Sequence, residues 1–169
     1  MTDGKTQKNG NGTAAEATPA GPQLQVQIVG QYIKDMSFEN PNVDKLIGGP
    51  GDSPNIQLEI NVDGRTADAK NGLYESAINF RAQATSKIGT IYELEIIYAG
   101  MFKIQNIPEQ ALEPFLIVNC PTLLFPFLRR LIADLTREGG FPPLLLDPID
   151  FGALYMRKQQ ELKAASAKV

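Results

Sequence analysis

The sequence predicts an α+β domain, a four-stranded antiparallel sheet with helices packed on one face. Three observations lead there. Residues 23–104 alternate apolar and polar side chains in four stretches parted by turn residues, residues 108–160 change to a helical period, and the two patterns do not interleave. Strands followed by helices cannot build parallel crossovers, so the helices are left to cover one face of an antiparallel sheet.

The first strand occupies Gln23 to Glu39. Leu24, Val26, Ile28, Gly30 and Tyr32 share one face, continued by Met36 and Phe38, while glutamines, Asp35, Ser37 and Glu39 share the other. Asp35 and Glu39, four residues apart, stand together on the wet side. Residues 40–55 form a long loop rich in proline and glycine that carries an apolar Leu46-Ile47 pair, and loops of this length are commonly functional. In the second strand Ile56, Leu58, Ile60 and Val62 alternate with Gln57, Glu59, Asn61 and Asp63, and residues 64–72 make the turn. The third runs from Leu73 to Thr85 with Tyr74, Ile78, Phe80 and Ala82 inward. The fourth, Thr90 to Ile104, places Tyr92, Leu94, Ile96 and Tyr98 on one face and mixes Ile91, Glu93, Glu95 and Ile97 on the other.

Pro108 opens a short helical segment. A main helix over 122–138 follows, entered at Pro121-Thr122 and left through Gly139-Gly140. Its apolar stripe includes Leu124, Phe125, Leu128, Leu131, Ile132 and Leu135, and Leu123 and Phe127 widen it beyond one packing surface. Pro126 is expected to trim the first turn. So wide a stripe predicts two partners, the chain's own sheet and a second subunit. After an extended FPPLLLDPID, Asp150 can cap a last helix in which Phe151, Leu154 and Tyr155 form a stripe. One domain is therefore expected over 23–162, between a disordered tail of residues 1–22, poor in large apolar side chains, and a flexible end at 163–169.

Composition narrows the function. A net charge of −3 over 169 residues opposes a nucleic-acid footprint. No uninterrupted apolar run of spanning length and no signal-peptide pattern are evident, so neither a membrane span nor a leader is expected. With no histidine, a Ser-His-Asp triad, a Cys-His dyad and His-ligated zinc are excluded. There is no phosphate-binding glycine motif either. The single cysteine, Cys120, allows no internal disulfide and is expected to pack as a small apolar side chain. No catalytic residues, cofactor or metal are expected, and an enzyme is disfavoured.

Four stretches together resemble the SecB protein-export chaperone family: YIKDMSFENPN (32–42), YAGMFKI around Gly100 to Ile104, NCPTLLFPFLRRLI, and GGFPPLLLDPIDFGALY (139–155). Their order, spacing and proline positions carry the likeness over about Leu24 to Gln160. The resemblance implies a cytoplasmic homotetramer, a dimer of dimers with helices layered between two sheets. Such a chaperone holds unfolded precursor proteins and delivers them to the SecA motor. By position, Asp35, Glu39 and Glu95 match the family's acidic contacts with SecA. Glu93 departs from a position that is often apolar. Ile56, Leu58 and Ile60 match one wall of a client groove, with Phe151, Leu154 and Tyr155 as the other. Leu94, Ile96 and Tyr98 match positions tied to tetramer assembly, and Leu128 and Leu131 on the wide stripe join them as interface candidates. Two other readings are open: a small ligand-binding or hydrolase-like α+β domain with an apolar pocket, and a SecB-like chaperone dedicated to one partner such as an antitoxin.

Overall fold

The computed structural model describes residues 21–49 and 53–166. Most of the expected N-terminal tail, and residues 50–52 of the long loop, lie outside them. Strands β1 (Gln25–Glu39), β2 (Asn55–Asp68), β3 (Leu73–Ser86) and β4 (Gly89–Gln105) form one antiparallel sheet in the order β1-β4-β3-β2. A short helix α1 (Val43–Leu46) lies in the loop between the two edge strands. Two elements follow the sheet: a helix α2 of 30 residues, Glu109–Glu138, and α3 (Phe151–Ser166). The second strand is longer than its sequence suggests. Gly64 to Asp68 continue the ladder, so the turn shrinks to a tight corner at Gly72, whose φ is +64°. Helix α3 likewise continues through residues 163–166, where a frayed end was expected.

Paired residues in an antiparallel ladder point to the same side. The side under the helices carries Tyr92, Leu94, Ile96, Tyr98 and Phe102 of β4, with Ile78, Phe80 and Ala82 of β3 opposite them. Of these, Leu94, Ile96, Ile78, Phe80, Ala82 and Phe102 are buried against Leu116, Leu124, Phe125, Leu128 and Ile132 of α2. The remaining side of the sheet, here called the outer face, has no helix over it.

Helix α2 is seated on one rung of small residues. Gly64, Ser76 and Gly100 lie side by side across β2, β3 and β4. A Cβ on Gly64 would come within 2.9 Å of Leu116 Cβ, and one on Gly100 within 2.7 Å of Leu124 Cδ2. Only residues this small let the helix approach so closely.

The helix starts well before the expected entrance, and Pro121 and Pro126 are interior to it. A π turn at Phe115–Asn119 absorbs Pro121. In that turn Cys120 N–H donates to Phe115 O, so the next carbonyl, that of Leu116, would receive the N–H that Pro121 lacks. The buried Ser76 hydroxyl donates to Leu116 O instead, at 2.8 Å. At the far end the chain leaves through Gly140 (φ +88°), with Phe141 N–H donating to Thr136 O at 3.1 Å and Gly140 N–H to Arg137 O at 3.0 Å. Gly139 is not left-handed (φ −70°). It is small because a Cβ there would collide with the Phe38 ring. The buried Thr136 hydroxyl then accepts Leu144 N–H at 2.9 Å and ties the linker down. By length and composition α2 could cross a bilayer. In this chain its buried side is the main core, and Leu123 and Phe127 are left about half exposed at 45 % and 52 %.

Strand β1 departs from strict alternation. Register shifts at Val29 and Lys34 turn the segment between them over. Val26, Ile28, Met36 and Phe38 therefore face the helix side as expected, whereas Gly30 and Tyr32 move to the outer face and Ile33 takes the inner one. The bulges give the outer face an ionic cluster. Glu75 of β3, with only 4 % of its side chain exposed, receives Lys34 Nζ at 2.8 Å and Arg65 Nε at 2.7 Å on Oε1. Arg65 Nη2 and the Tyr32 hydroxyl donate to Oε2. Tyr32 pairs with Ala99 and must cross β4 to reach Glu75, which helps explain why Ala99 and Ala77 are buried on a face without helices. The Arg65 fork leads the donors that hold the Glu75 carboxyl down at about 2, against an ordinary 4.5 and in spite of its burial.

Two expectations follow. Ser76→Ala leaves the Leu116 carbonyl buried and unpaired, and is expected to cost about 1–3 kcal/mol, read as a lower urea midpoint with unchanged slope. Because its folded value is depressed, Glu75 contributes stability that is complete above about pH 4.5 and fades as the pH falls towards 2. Thermal melts of wild type and Glu75→Gln across that window are expected to converge as the pH drops, and curves that stay parallel would count against the cluster.

Candidate functional site

The two faces of the sheet present opposite chemistry, and the expected site residues divide between them. On the outer face, three successive rungs read Asp35-Ile97-Asn79-Asn61, Ser37-Glu95-Arg81-Glu59 and Glu39-Glu93-Gln83-Gln57 across β1, β4, β3 and β2. Asp35, Glu39 and Glu95 therefore share one surface, because the bulge at Lys34 falls before Asp35 and leaves the alternation from 35 to 39 intact. Glu93 and Glu59 belong to the same patch. Arg81 is the only cation in the three rungs, with Nε 3.2 Å from Glu95 and Nη2 3.7 Å from Glu93. Half exposed, it offsets part of the charge at about 0–1 kcal/mol per pair. Glu39 and Glu93 stand directly opposite each other, an unfavourable like-charge pairing that the Gln83 amide relieves by donating to Glu93. The surface is thus polar and acidic, with a depression of about 220 Å³ among Asp35, Glu59, Asn61, Asn79, Arg81 and Glu95.

The inner face is apolar beyond what this chain covers. Along β2 the row Ile56, Leu58, Ile60, Val62 passes from open to buried, with Ile56 and Leu58 at 38 % and 49 % exposure and Val62 at 8 %. Helix α2 meets β2 through its π turn, at the Val62 end, so the far half of the row has no cover. Beside Val62, helix α3 bounds a cavity of about 280 Å³ whose apolar lining is Val62, Ile117, Phe151, Leu154 and Tyr155. Asp150 starts that helix as expected, its Oδ1 accepting Ala153 N–H at 2.9 Å.

The cavity unites Phe151, Leu154 and Tyr155 with Val62. It does not include Ile56, Leu58 or Ile60, which lie farther along the strand. Leu58 borders a separate depression whose other lining residues, Gln57, Glu59, Arg81 and Gln83, belong to the outer face. Phe151 needs a correction: it is 2 % exposed and packs edge-on against Phe125 with ring centroids 5.9 Å apart, so it is the floor of the cavity and part of the core.

The expected assembly residues also need correction. Leu94, Ile96 and Leu128 are fully buried between this chain's own sheet and α2, with no surface left for a neighbour. Tyr98 and Leu131 are half-buried and pack against the same core. Nor does Ile91 call for a second subunit, being covered with Ala84 and Tyr92 by Phe38, Leu46 and Phe141. The open apolar surface is elsewhere, at Val26, Ile28, Ile33 and Met36 on the inner side of β1 and at Leu123 and Phe127 on α2. The width of the α2 stripe pointed to the last two. Nothing in the alternation of β1 showed that its inner row would lie beyond the helix. Ile47, 86 % exposed, is separated from Leu46, which the core holds. Cys120 behaves as a packing residue, buried, its thiol pushed up to about 12 by desolvation. Among the described residues no cluster of acidic or cysteine side chains is arranged to hold a metal.

Comparison with known proteins adds the family. Residues 19–162 match the family described as Preprotein translocase subunit SecB. The protein-export protein SecB of Parvibaculum lavamentivorans is 41 % identical over 167 residues, covering 99 % of this chain and 97 % of that one. That of Xanthobacter autotrophicus is 43 % identical over 84 % of this chain and 88 % of its own. That of Methylocella silvestris is 44 % identical, with 92 % and 94 % covered. The fold is shared with a Mycobacterium tuberculosis SecB-like chaperone solved in complex with an antitoxin peptide, at a TM-score of 0.59, 17 % identity, and 73 % and 90 % coverage. Continuous agreement at this level, spanning sheet, proline-bearing helix and linker alike, decides the assignment: the chain belongs to the SecB family of protein-export chaperones, which is not an enzyme family.

Proposed function

We propose that this export chaperone captures unfolded precursor proteins on the apolar inner side of its sheet and presents its acidic outer side to the SecA motor. It works as a homotetramer in the cytoplasm and uses no cofactor. The observation that carries this reading is the division of one sheet into an apolar face with open edges and an acidic face free of helices. An unfolded chain offers apolar side chains without fixed order, and Ile56 and Leu58 with the cavity beside α3 offer apolar area without fixed polar contacts. A basic motor surface is complementary to Asp35, Glu39 and Glu95, and charge complementarity of this kind speeds encounter and selects the partner. The open apolar residues of β1 and α2 support assembly, since a patch of that kind on a chaperone of this family is best satisfied by a second copy.

Two experiments test the division. Asp35→Ala with Glu39→Ala is expected to weaken SecA binding and flatten its salt dependence, while capture of a reduced, unfolded precursor is unchanged. Exposed contacts are worth about 0.2–1 kcal/mol each, so a loss well above that means the partner desolvates the pair. Leu58→Arg is expected to reduce precursor capture while mass by light scattering stays that of a tetramer. A wild type that is monomeric at micromolar concentration would overturn the assembly, and an unfolded Leu58→Arg would place Leu58 in the core.

A further inference from the structure

The chain leaves β1 at one edge of the sheet and enters β2 at the other, so the segment that carries α1 has to cross the end of β4 and β3. There Leu46 packs against the cluster of Ala84, Ile91 and Tyr92, as do Phe38 and Phe141. The rings form a stack, with Phe38 and Tyr92 centroids 5.7 Å apart and Tyr92 and Phe141 5.1 Å apart. Tyr92 pairs with Ala84 and Ala84 with Ile56, in one rung of the inner face. The next rung is Phe38-Leu94-Ala82-Leu58. The open apolar row of β2 is therefore continuous with the aromatic stack, and Leu46 rests on that continuation. Its hold is light. Leu46 is only half-buried, α1 has no buried residue, and Val43 and Ile47 beside it are exposed. Asn42 Nδ2 adds a single bond to Thr90 O at 2.9 Å. At the foot of the crossing, Asn40 Oδ1 is buried with no donor among the described residues. A buried acceptor without a partner disfavours the state that buries it, so the closed crossing is opposed from within.

We infer that residues 40–49 are a self-occupying strap. Leu46 holds a place on the Phe38-Tyr92-Phe141 stack that an aliphatic or aromatic side chain of an unfolded polypeptide takes when the strap lifts. Asn40 keeps the strap ready to lift, because its carbonyl regains water as the foot swings out. This rests on the reading of the inner face as the client surface and adds how the far end of that surface is opened. A lone apolar side chain competes poorly, since Leu46 is tethered beside its place. A long unfolded segment already held at Ile56 and Leu58 brings its next apolar side chain to the stack at high local concentration, and displaces Leu46. The strap thus favours extended chains over single exposed side chains, and apparent affinity scales with the fraction of molecules in which it is open.

The test uses the full-length chain, with Leu46→Ala to loosen the strap and Asn40→Ala to remove the unpaired acceptor. Amide hydrogen exchange over residues 42–49 reads strap opening, and titration with a reduced, unfolded precursor reads capture. Leu46→Ala is expected to speed exchange in the strap about five- to ten-fold, as loss of a half-buried leucine side chain allows, and to tighten precursor binding. Asn40→Ala is expected to slow the same exchange by about as much and to weaken binding. Exchange in β3 and β4 stays at the wild-type rate in both variants, which shows that the sheet is intact. Strap exchange that is unchanged or faster in Asn40→Ala would overturn the inference. So would exchange that shifts as expected while precursor affinity stays constant or falls in Leu46→Ala, and either result leaves the client surface standing. Failure of the wild type and both variants to bind the precursor would overturn the client surface and this inference together.

Discussion

Everything in this chain depends on how closely one proline-bearing helix can approach the sheet. The rung Gly64-Ser76-Gly100 has almost no side chain, so Leu116 and Leu124 sit down on backbone and not on other side chains. The same rung settles the polar debt that Pro121 creates, because the Ser76 hydroxyl replaces the missing amide at Leu116 O. Burial of the helix and satisfaction of its broken ladder are thus one event. A larger residue at any of the three positions would lift the helix, and the Ser76 bond would be lost with the packing.

Close seating over the centre has a cost at the margins. A single helix resting on β2, β3 and β4 cannot also cover the whole of β1 or the far half of β2. Ile28, Ile33, Met36, Ile56 and Leu58 remain open for that geometric reason, although each lies in a regular apolar row. In a self-sufficient domain this would be a defect of packing. In a family of export chaperones it is the surface on which the proposed capture of unfolded precursors and the proposed assembly rest.

The outer face needs its own means of cohesion because no second layer lies on it. The bulges at Val29 and Lys34 supply it by turning Tyr32 outward and bringing Lys34 to the buried Glu75, where Arg65 arrives from the far edge. The stretch YIKDMSFE thereby serves two layers at once. Tyr32 and Lys34 bind the sheet together, Asp35 and Glu39 point to solvent, and Phe38 turns in to meet Gly139 and stack on Tyr92 at 5.7 Å.

Period and composition alone determined the class of the fold, the four strands, the inner faces of β3 and β4, the Asp150 cap and the sharing of one face by Asp35 and Glu39. These are local properties: alternation fixes a face, and a capping side chain needs only its own first turn. Tertiary structure decided the rest. The bulges in β1 appear only in the register against β4, so Tyr32 looked like core when it reaches Glu75. Pro121 reads as a helix entrance in the sequence, because the donor that replaces its missing amide, the Ser76 hydroxyl, lies 40 residues before the Leu116 carbonyl that accepts it. Leu94, Ile96 and Leu128 could not be separated from Leu123 and Phe127 in the sequence, since all are apolar at suitable spacing. Which of them faces the sheet, and which faces out, follows from where the helix axis crosses the strands, and that is set by three small residues far apart in the chain.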